Sequence, residues 1–243
     1  MKALVTLSGI LGLALTGLAA QPAAPDVTIE LGPRQAQGTP TRTGFTHTGG
    51  GNIDVQQPSP DAFVVTMTGV AVAGGHPCKD SLAALVFDLV QEFEVKCAKP
   101  DIRRAKLTLE ARVVGLLRSY AKGGGSAGIT CPAHAAVTPC GAGGAALVEV
   151  VLPGRAVAGG ENLSVNDKAG PMAAGLPAGR YTLHQIFGVQ AAHPARLWPC
   201  KAASAEFAPD PALDLLWISA FEPFHGAQKK DFGFQVTVRV AAE

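Results

Sequence analysis

Apolar residues recur at every second position in several segments of this chain, which is the pattern of a strand that buries one face. The pattern predicts strands over residues 62–73, 85–97, 105–118, 146–152, 181–189, 213–221 and 232–240. Turn-rich segments separate them, and no strand is reliably followed by a helical stripe, so we expect antiparallel pairing. The sequence therefore predicts an all-β fold, built as an antiparallel β-sandwich.

Residues 85–97 also fit a helix. One helical stripe would contain Leu82, Leu85, Val86, Leu89 and Phe93. The alternation separates residue types more cleanly, because the apolar side chains share one parity and the charged ones share the other, namely Asp88, Glu92, Glu94 and Lys96. We predict a strand for this segment.

Residues 176–183 read Leu-Pro-Ala-Gly-Arg-Tyr-Thr-Leu. This segment resembles the start of a strand in secreted immunoglobulin-like and prealbumin-like modules, where a tyrosine just after a glycine turn packs at a sheet corner. The resemblance covers eight residues and implies a sandwich of immunoglobulin-like or prealbumin-like type. It implies an architecture only, since one fold supports many functions.

The first twenty residues have the features of a secretory signal peptide. Lys2 precedes an apolar run, and small residues follow around Ala19 and Ala20. The run is too short and too rich in Gly, Ser and Thr for a membrane span, and no second apolar stretch of spanning length follows. We expect cleavage after Ala19 or Ala20, no transmembrane span afterwards, and export of a bacterial protein to the periplasm or the extracellular space.

Composition divides the rest of the chain into an arm and a body. Residues 21–60 are rich in Pro, Gly, Thr and Gln, and they predict a flexible arm or linker with a candidate edge strand over 26–31 and a joint at 49–51. Residues 61–243 predict one β-sandwich domain. An alternative is two small β domains split near residues 122–145, where the chain is rich in glycine.

Charge argues against a nucleic-acid partner. The chain has 20 basic and 19 acidic residues. Lys2 is the only charged residue of the predicted signal peptide, so its removal would leave 19 of each. A chain with no net charge lacks the basic footprint that phosphate backbones require. Binding to a neutral partner, or to an unknown protein or component of the cell envelope, remains open.

Five cysteines in an exported chain predict disulfide bonds, because the compartment is oxidising. Sequence cannot select among the fifteen ways of forming two bonds from five cysteines. We expect Cys131 with Cys140, which would close a small loop in a segment rich in Gly and Pro. The second candidate pair is Cys78 with Cys97.

Three histidines lie near cysteines and are candidate metal ligands. They are His76, His134 and His193, which precede or follow Cys78, Cys131 and Cys200. Convergence of these segments could form a copper or zinc site, but the spacing is not diagnostic of either metal. A secreted metal-binding protein is therefore an alternative function, and no other cofactor is expected.

A catalytic nucleophile is weakly indicated at most. The nearest approach to a nucleophile elbow is Gly125-Ser126-Ala127-Gly128, which lies in a glycine-rich stretch that we interpret as a linker. A secreted hydrolase is therefore the weaker alternative.

Candidate recognition residues are Phe224 and His225, in the predicted loop 221–231, and Trp198, in a Pro-flanked loop.

These observations favour a non-enzymatic exported β-sandwich, acting as a structural or binding module of the cell envelope or extracellular space. The strands are well patterned, the charge is balanced, and the polar residues do not gather into a reactive set along the sequence.

Overall fold

A computed structural model describes residues 25–44, 46–73, 80–119, 125–141, 145–158, 161–193, 203–206 and 233–243. These residues form strands β1 (Val27–Thr43), β2 (Thr46–Ser59), β3 (Ala62–Ala73), β4 (Ser81–Cys97), β5 (Ala105–Ser119), β6 (Ser126–Pro139), β7 (Val148–Leu152), β8 (Ala156–Ala158), β9 (Asn162–Leu176), β10 (Gly179–His193), β11 (Ala203–Glu206) and β12 (Gly233–Ala242). No helix long and apolar enough to cross a membrane occurs in these ranges.

Two antiparallel sheets pack against each other, which confirms the predicted β-sandwich. The first sheet has the order β1-β4-β10-β6-β7, with β8 also beside β6. In the second sheet, β12 lies between β3 and β5, with β2 next to β3 and β9 next to β5. The short strand β11 occupies the same position between β3 and β5, further along both strands.

Aromatic side chains join the two sheets at the centre of the sandwich. Phe63 of the second sheet lies with its ring centroid 5.3 Å from that of Phe93 in the first. Phe187 and Phe234 form a second contact between the sheets, at 5.5 Å. All four side chains are buried, and aromatic pairs at such distances contribute beyond the area they bury. These contacts fix how one sheet lies over the other.

The ambiguous segment 85–97 is a strand, as the alternation predicts. It forms most of β4, and its side chains alternate between buried and more exposed positions. Leu85, Phe87 and Leu89 face the core, whereas Asp88 is exposed. Pairing with β1 on one side and β10 on the other satisfies the backbone of β4 and makes it a central strand.

Residues 27–59 differ from the flexible arm that their composition predicts. They form β1 and β2, which pair along most of their lengths with β4 and β3. From Gly32 to Thr43 the side chains of β1 are exposed on both faces, so no buried face imposes a hydrophobic alternation. The glycines at 49–51 lie within β2 and not at a joint between arm and body.

The described part of the glycine-rich stretch is mostly a strand, so the linker interpretation of residues 126–128 was wrong. Residues 126–139 form β6, between β10 and β7. Its inward positions include Ala127, Ala133 and Ala135, all buried, and such small residues give little hydropathy contrast with their neighbours. Strands before and after this stretch pair with one another, β4 with β10 and β5 with β9.

The sheet-corner tyrosine lies where the resemblance implies. Tyr181 is 4% exposed, and its hydroxyl donates a hydrogen bond to the carbonyl oxygen of Pro177 at 2.6 Å. Its ring centroid lies 5.8 Å from that of Phe93. A hydrogen bond from a buried tyrosine to the backbone a few residues upstream is the tyrosine-corner contact of β-sandwiches. It anchors the turn between β9 and β10.

Candidate functional site

Several predicted site residues lie outside the described part of the chain. These are His76, Cys78, Trp198, Cys200, Phe224 and His225, together with the signal peptide over residues 1–20. The predicted strand 213–221 is outside it as well. The roles assigned to these residues stay predictions.

The strands that flank two of the segments outside the described part, residues 74–79 and 194–202, are nevertheless paired. Ala73, just before residues 74–79, lies opposite Ala203, just after residues 194–202. Ser81 and His193, at the other ends of these segments, are also opposite each other. The described ends of both connections therefore meet at one end of the sandwich, which sequence spacing alone does not reveal.

The two described histidine candidates occupy different environments. His193 is buried at 3% exposure, on the core side of β10. His134 lies on the outer face of the first sheet, with its Nε2 atom 2.8 Å from Oε1 of Glu149. Among the described residues, no group of three or more His, Cys, Asp or Glu side chains is arranged to hold a metal ion.

Neither predicted disulfide is present, because Cys97 and Cys140 are free thiols. The geometry of β6 explains the error for Cys131 and Cys140. Cys131 lies within β6 and Cys140 directly follows it, so about nine residues of extended chain, roughly 30 Å, separate them. A disulfide requires Cα atoms within about 7 Å of each other. The thiol of Cys140 instead lies 3.1 Å from the hydroxyl of Thr182.

A second histidine–carboxylate pair lies on the same outer face as His134 and Glu149. The Nε2 atom of His184 is 2.9 Å from Oδ1 of Asp88. The sequence places these two residues 96 positions apart, and only the register between β4 and β10 brings them together. Each of these histidines therefore has a carboxylate partner on its own sheet face.

The outer face of the second sheet has a cleft of about 340 Å³. It is formed by β5, β9 and β12, and its charged and polar lining side chains are Glu110, Arg112, Lys168, Gln235 and Thr237. These are outward-facing positions of three adjacent strands, whose inward-facing neighbours pack in the core. A cleft on paired strands has a rigid floor, which favours precise placement of the side chains above it.

A β-bulge shapes one wall of the cleft. Opposite Glu110 on β5, strand β9 has two residues, Gly170 and Pro171, where regular pairing would place one. Gly170 has a φ of +96°, and a Cβ atom there would lie 2.6 Å from the carbonyl oxygen of Leu109. Glycine is therefore required for this wall, since any larger residue would displace the backbone of β9 from β5.

Two cations of the cleft lining are cross-strand neighbours. Arg112 of β5 and Lys168 of β9 are directly opposite in the antiparallel register. Neither forms an ion pair with a carboxylate of the described residues. The guanidinium of Arg112 donates from Nε to the side-chain oxygen of Asn166 at 3.2 Å, which is a neutral acceptor. Like charges directly opposite are unfavourable, so this arrangement favours an anion between them.

The remaining polar side chains surround these cations. Gln235 of β12 lies opposite Arg112 on its other side, and Thr237 lies opposite Glu110. Glu110 is exposed and, like the cations, forms no ion pair with the described residues. The cleft therefore combines two positive charges, one negative charge, an amide and a hydroxyl.

Sequence reasoning missed this site because its residues are scattered along three strands. The alternation does predict outward positions for Lys106, Glu110 and Arg112 in β5, but strand β9 has no such pattern, and its pairing with β5 is what creates the cleft.

Comparison of the chain with protein-family models, with curated proteins and with solved structures gave no match.

Proposed function

We propose that this protein is an exported, non-enzymatic β-sandwich that acts as a binding module in the periplasm, the cell envelope or the extracellular space. The observation that carries the proposal is the cleft on the outer face of the second sheet, whose charged side chains form no ion pairs with the described residues. Export is supported by the signal-peptide features of residues 1–20.

The lining of the cleft suits binding better than catalysis. Arginine and lysine side chains are charged at neutral pH and hold anionic groups, but in that state they have no lone pair to accept a proton. Among the described residues, the lining includes no histidine and no cysteine. These are the side chains that most often serve as a base or as a nucleophile near neutral pH.

Blocking the cleft tests the binding function without assuming a ligand class. Thr237→Trp would fill the cleft with an indole, whereas Thr108→Trp places the same side chain on the outer face of β5 at a position that does not line the cleft. The melting temperature would be measured with a panel of neutral, anionic and cationic small molecules. We expect at least one compound to stabilise the wild type and the Thr108→Trp protein but not the Thr237→Trp protein. The absence of any such compound would contradict a binding role for the cleft.

Export is tested separately, by the intact mass of the protein recovered from a host that expresses the full chain. We expect a periplasmic or secreted product that lacks the residues up to Ala19 or Ala20. A cytoplasmic product of full mass would contradict export but would leave the cleft experiment unaffected.

A further inference from the structure

The cation pair of the cleft offers a place for one anionic group. Arg112 and Lys168 are opposite each other on neighbouring strands, so their Cβ atoms are about 5 Å apart and both heads can reach one small anion. The planar guanidinium can bind a carboxylate through two parallel hydrogen bonds, and the ammonium adds a point charge. An anion held there would also relieve the repulsion between the two cations.

The other polar side chains limit what that anion is attached to. Glu110 is two residues from Arg112 on the same face of β5, about 7 Å along the strand. Its carboxylate repels a second negative charge and accepts hydrogen bonds from hydroxyl groups. Thr237, opposite Glu110, and Gln235, opposite Arg112, add a hydroxyl and an amide that both donate and accept. The cleft thus has one anion position with hydroxyl-binding groups beside it.

We infer that the cleft binds a small hydroxylated monocarboxylate, of which a uronic acid is the simplest example. The carboxylate lies between Arg112 and Lys168, and the ring hydroxyls lie toward Glu110 and Thr237. The volume of about 340 Å³ is at the lower end of the usual range for small-molecule sites and suits a compact ligand. This inference rests on the proposed binding function and adds the ligand class.

Isothermal titration calorimetry with D-glucuronate, and with D-glucose as its uncharged counterpart, tests the inference on the mature protein. We expect D-glucuronate to bind and D-glucose to bind at least about tenfold more weakly, because D-glucose lacks the carboxylate that forms charge-assisted hydrogen bonds with the two cations. Raising the salt concentration should weaken D-glucuronate binding, since the cleft is open to solvent.

Matched substitutions locate the carboxylate. Arg112→Ala and Lys168→Ala should each weaken D-glucuronate binding by about tenfold or more. The controls are Arg239→Ala, on the same face of β12, and Lys106→Ala, on the same face of β5, and neither residue lines the cleft. We expect both controls to bind as the wild type does. Equal effects of the lining and control substitutions would overturn the assignment.

Substitution of Glu110 provides an independent test of the ligand class. Glu110→Gln should strengthen the binding of inorganic sulfate, because it removes the negative charge that disfavours a dianion. The same substitution should strengthen the binding of D-glucuronate less, because the ring hydroxyls lose a charged hydrogen-bond acceptor and keep only the neutral amide oxygen. An equal gain for both ligands would contradict the selective role of Glu110.

The outcomes separate this inference from the proposed function. If D-glucose or an α-amino acid binds as well as D-glucuronate, and Thr237→Trp abolishes that binding, the cleft is a binding site but its ligand class is wrong. If no compound of the panel depends on the cleft, both the inference and the proposed function are wrong.

Discussion

Gln185 is a polar side chain in the core of the sandwich. It is fully buried on β10, between Leu89 of β4 and Ala135 of β6. Within the described part of the chain, neither polar atom of its amide has a hydrogen-bond partner. Leaving a buried polar group without a partner costs about 1–3 kcal/mol, so this residue lowers the stability of the fold.

Replacing Gln185 with an apolar side chain of similar shape should stabilise the protein. We expect Gln185→Met to raise the free energy of unfolding by about 1–2 kcal/mol, measured by urea denaturation, because it removes the unpaired amide. Gln91→Met is the matched control. That buried glutamine donates hydrogen bonds to the carbonyl oxygens of Gly32 and Glu92, at 3.0 and 2.7 Å, so its loss should destabilise. Destabilisation by Gln185→Met would show that Gln185 is hydrogen-bonded in solution.

The hydroxyl of Tyr181 makes the stability of the fold depend on pH in the alkaline range. Burial raises the pKa of its hydroxyl above the ordinary value of 10.0, because the charged phenolate is disfavoured away from water. A raised pKa means that the folded state holds its proton more tightly than the unfolded state. The resulting stability is therefore complete below pH 10 and is lost as the pH rises through the folded-state pKa.

Tyr181→Phe tests this coupling and the corner contact together. At neutral pH we expect a loss of about 1 kcal/mol, from the missing hydrogen bond to Pro177. Between pH 9 and pH 11 the melting temperature of the variant should fall less steeply than that of the wild type. If the melting temperatures of the two proteins fall in parallel between pH 9 and pH 11, a raised pKa of Tyr181 in the folded state is contradicted.

At the scale of the element, sequence alternation succeeds where one face of a strand is buried. Residues 62–73 alternate between core and outer face, and the predicted strand coincides with β3. Edge strands give no such signal, because their side chains are exposed on both faces, as in β1 beyond Leu31 and in much of β9. Strand β6 was missed for a different reason, since its core positions are mostly alanine.

The candidate site could be predicted only in part, because it depends on strand pairing as well as on alternation. The alternation of β5 places Glu110 and Arg112 on the outer face. Their neighbours Lys168, Gln235 and Thr237 are 56 or more residues away along the chain, and pairing register is a property of the assembled sheet. A bulge shifts that register in β9, so even a known strand order would not have placed Lys168 opposite Arg112.

The bulge in β9 is an element that the cleft depends on. We expect Gly170→Ala to destabilise the protein by about 1–3 kcal/mol, because a side chain at this positive φ would meet the backbone of Leu109. Binding of D-glucuronate should also weaken, as the wall of the cleft moves. The matched control is Gly175→Ala in the same strand, where an added Cβ would meet only the mobile ends of the Glu243 and Arg104 side chains. Equal stability of the two variants would contradict the bulge assignment.

At the scale of the whole molecule, the histidine pairs of one outer face differ from the charged groups of the cleft on the other. On the first sheet, His134 and His184 lie beside Glu149 and Asp88. On the second sheet, the cations and the carboxylate of the cleft form no ion pairs with the described residues. Because the formal net charge of the chain is only +1, long-range attraction contributes little, and recognition depends on the local arrangement of the cleft.

The most direct test of the cleft as a binding site is a ¹H–¹⁵N correlation spectrum of the protein, recorded during titration with D-glucuronate. We predict that the backbone amides whose signals shift will cluster on β5, β9 and β12 around Arg112 and Lys168, and that those of the first sheet will remain unchanged. Shifts concentrated on the first sheet, or no shifts at all at millimolar ligand, would contradict the assignment of the cleft as the binding site for this ligand class.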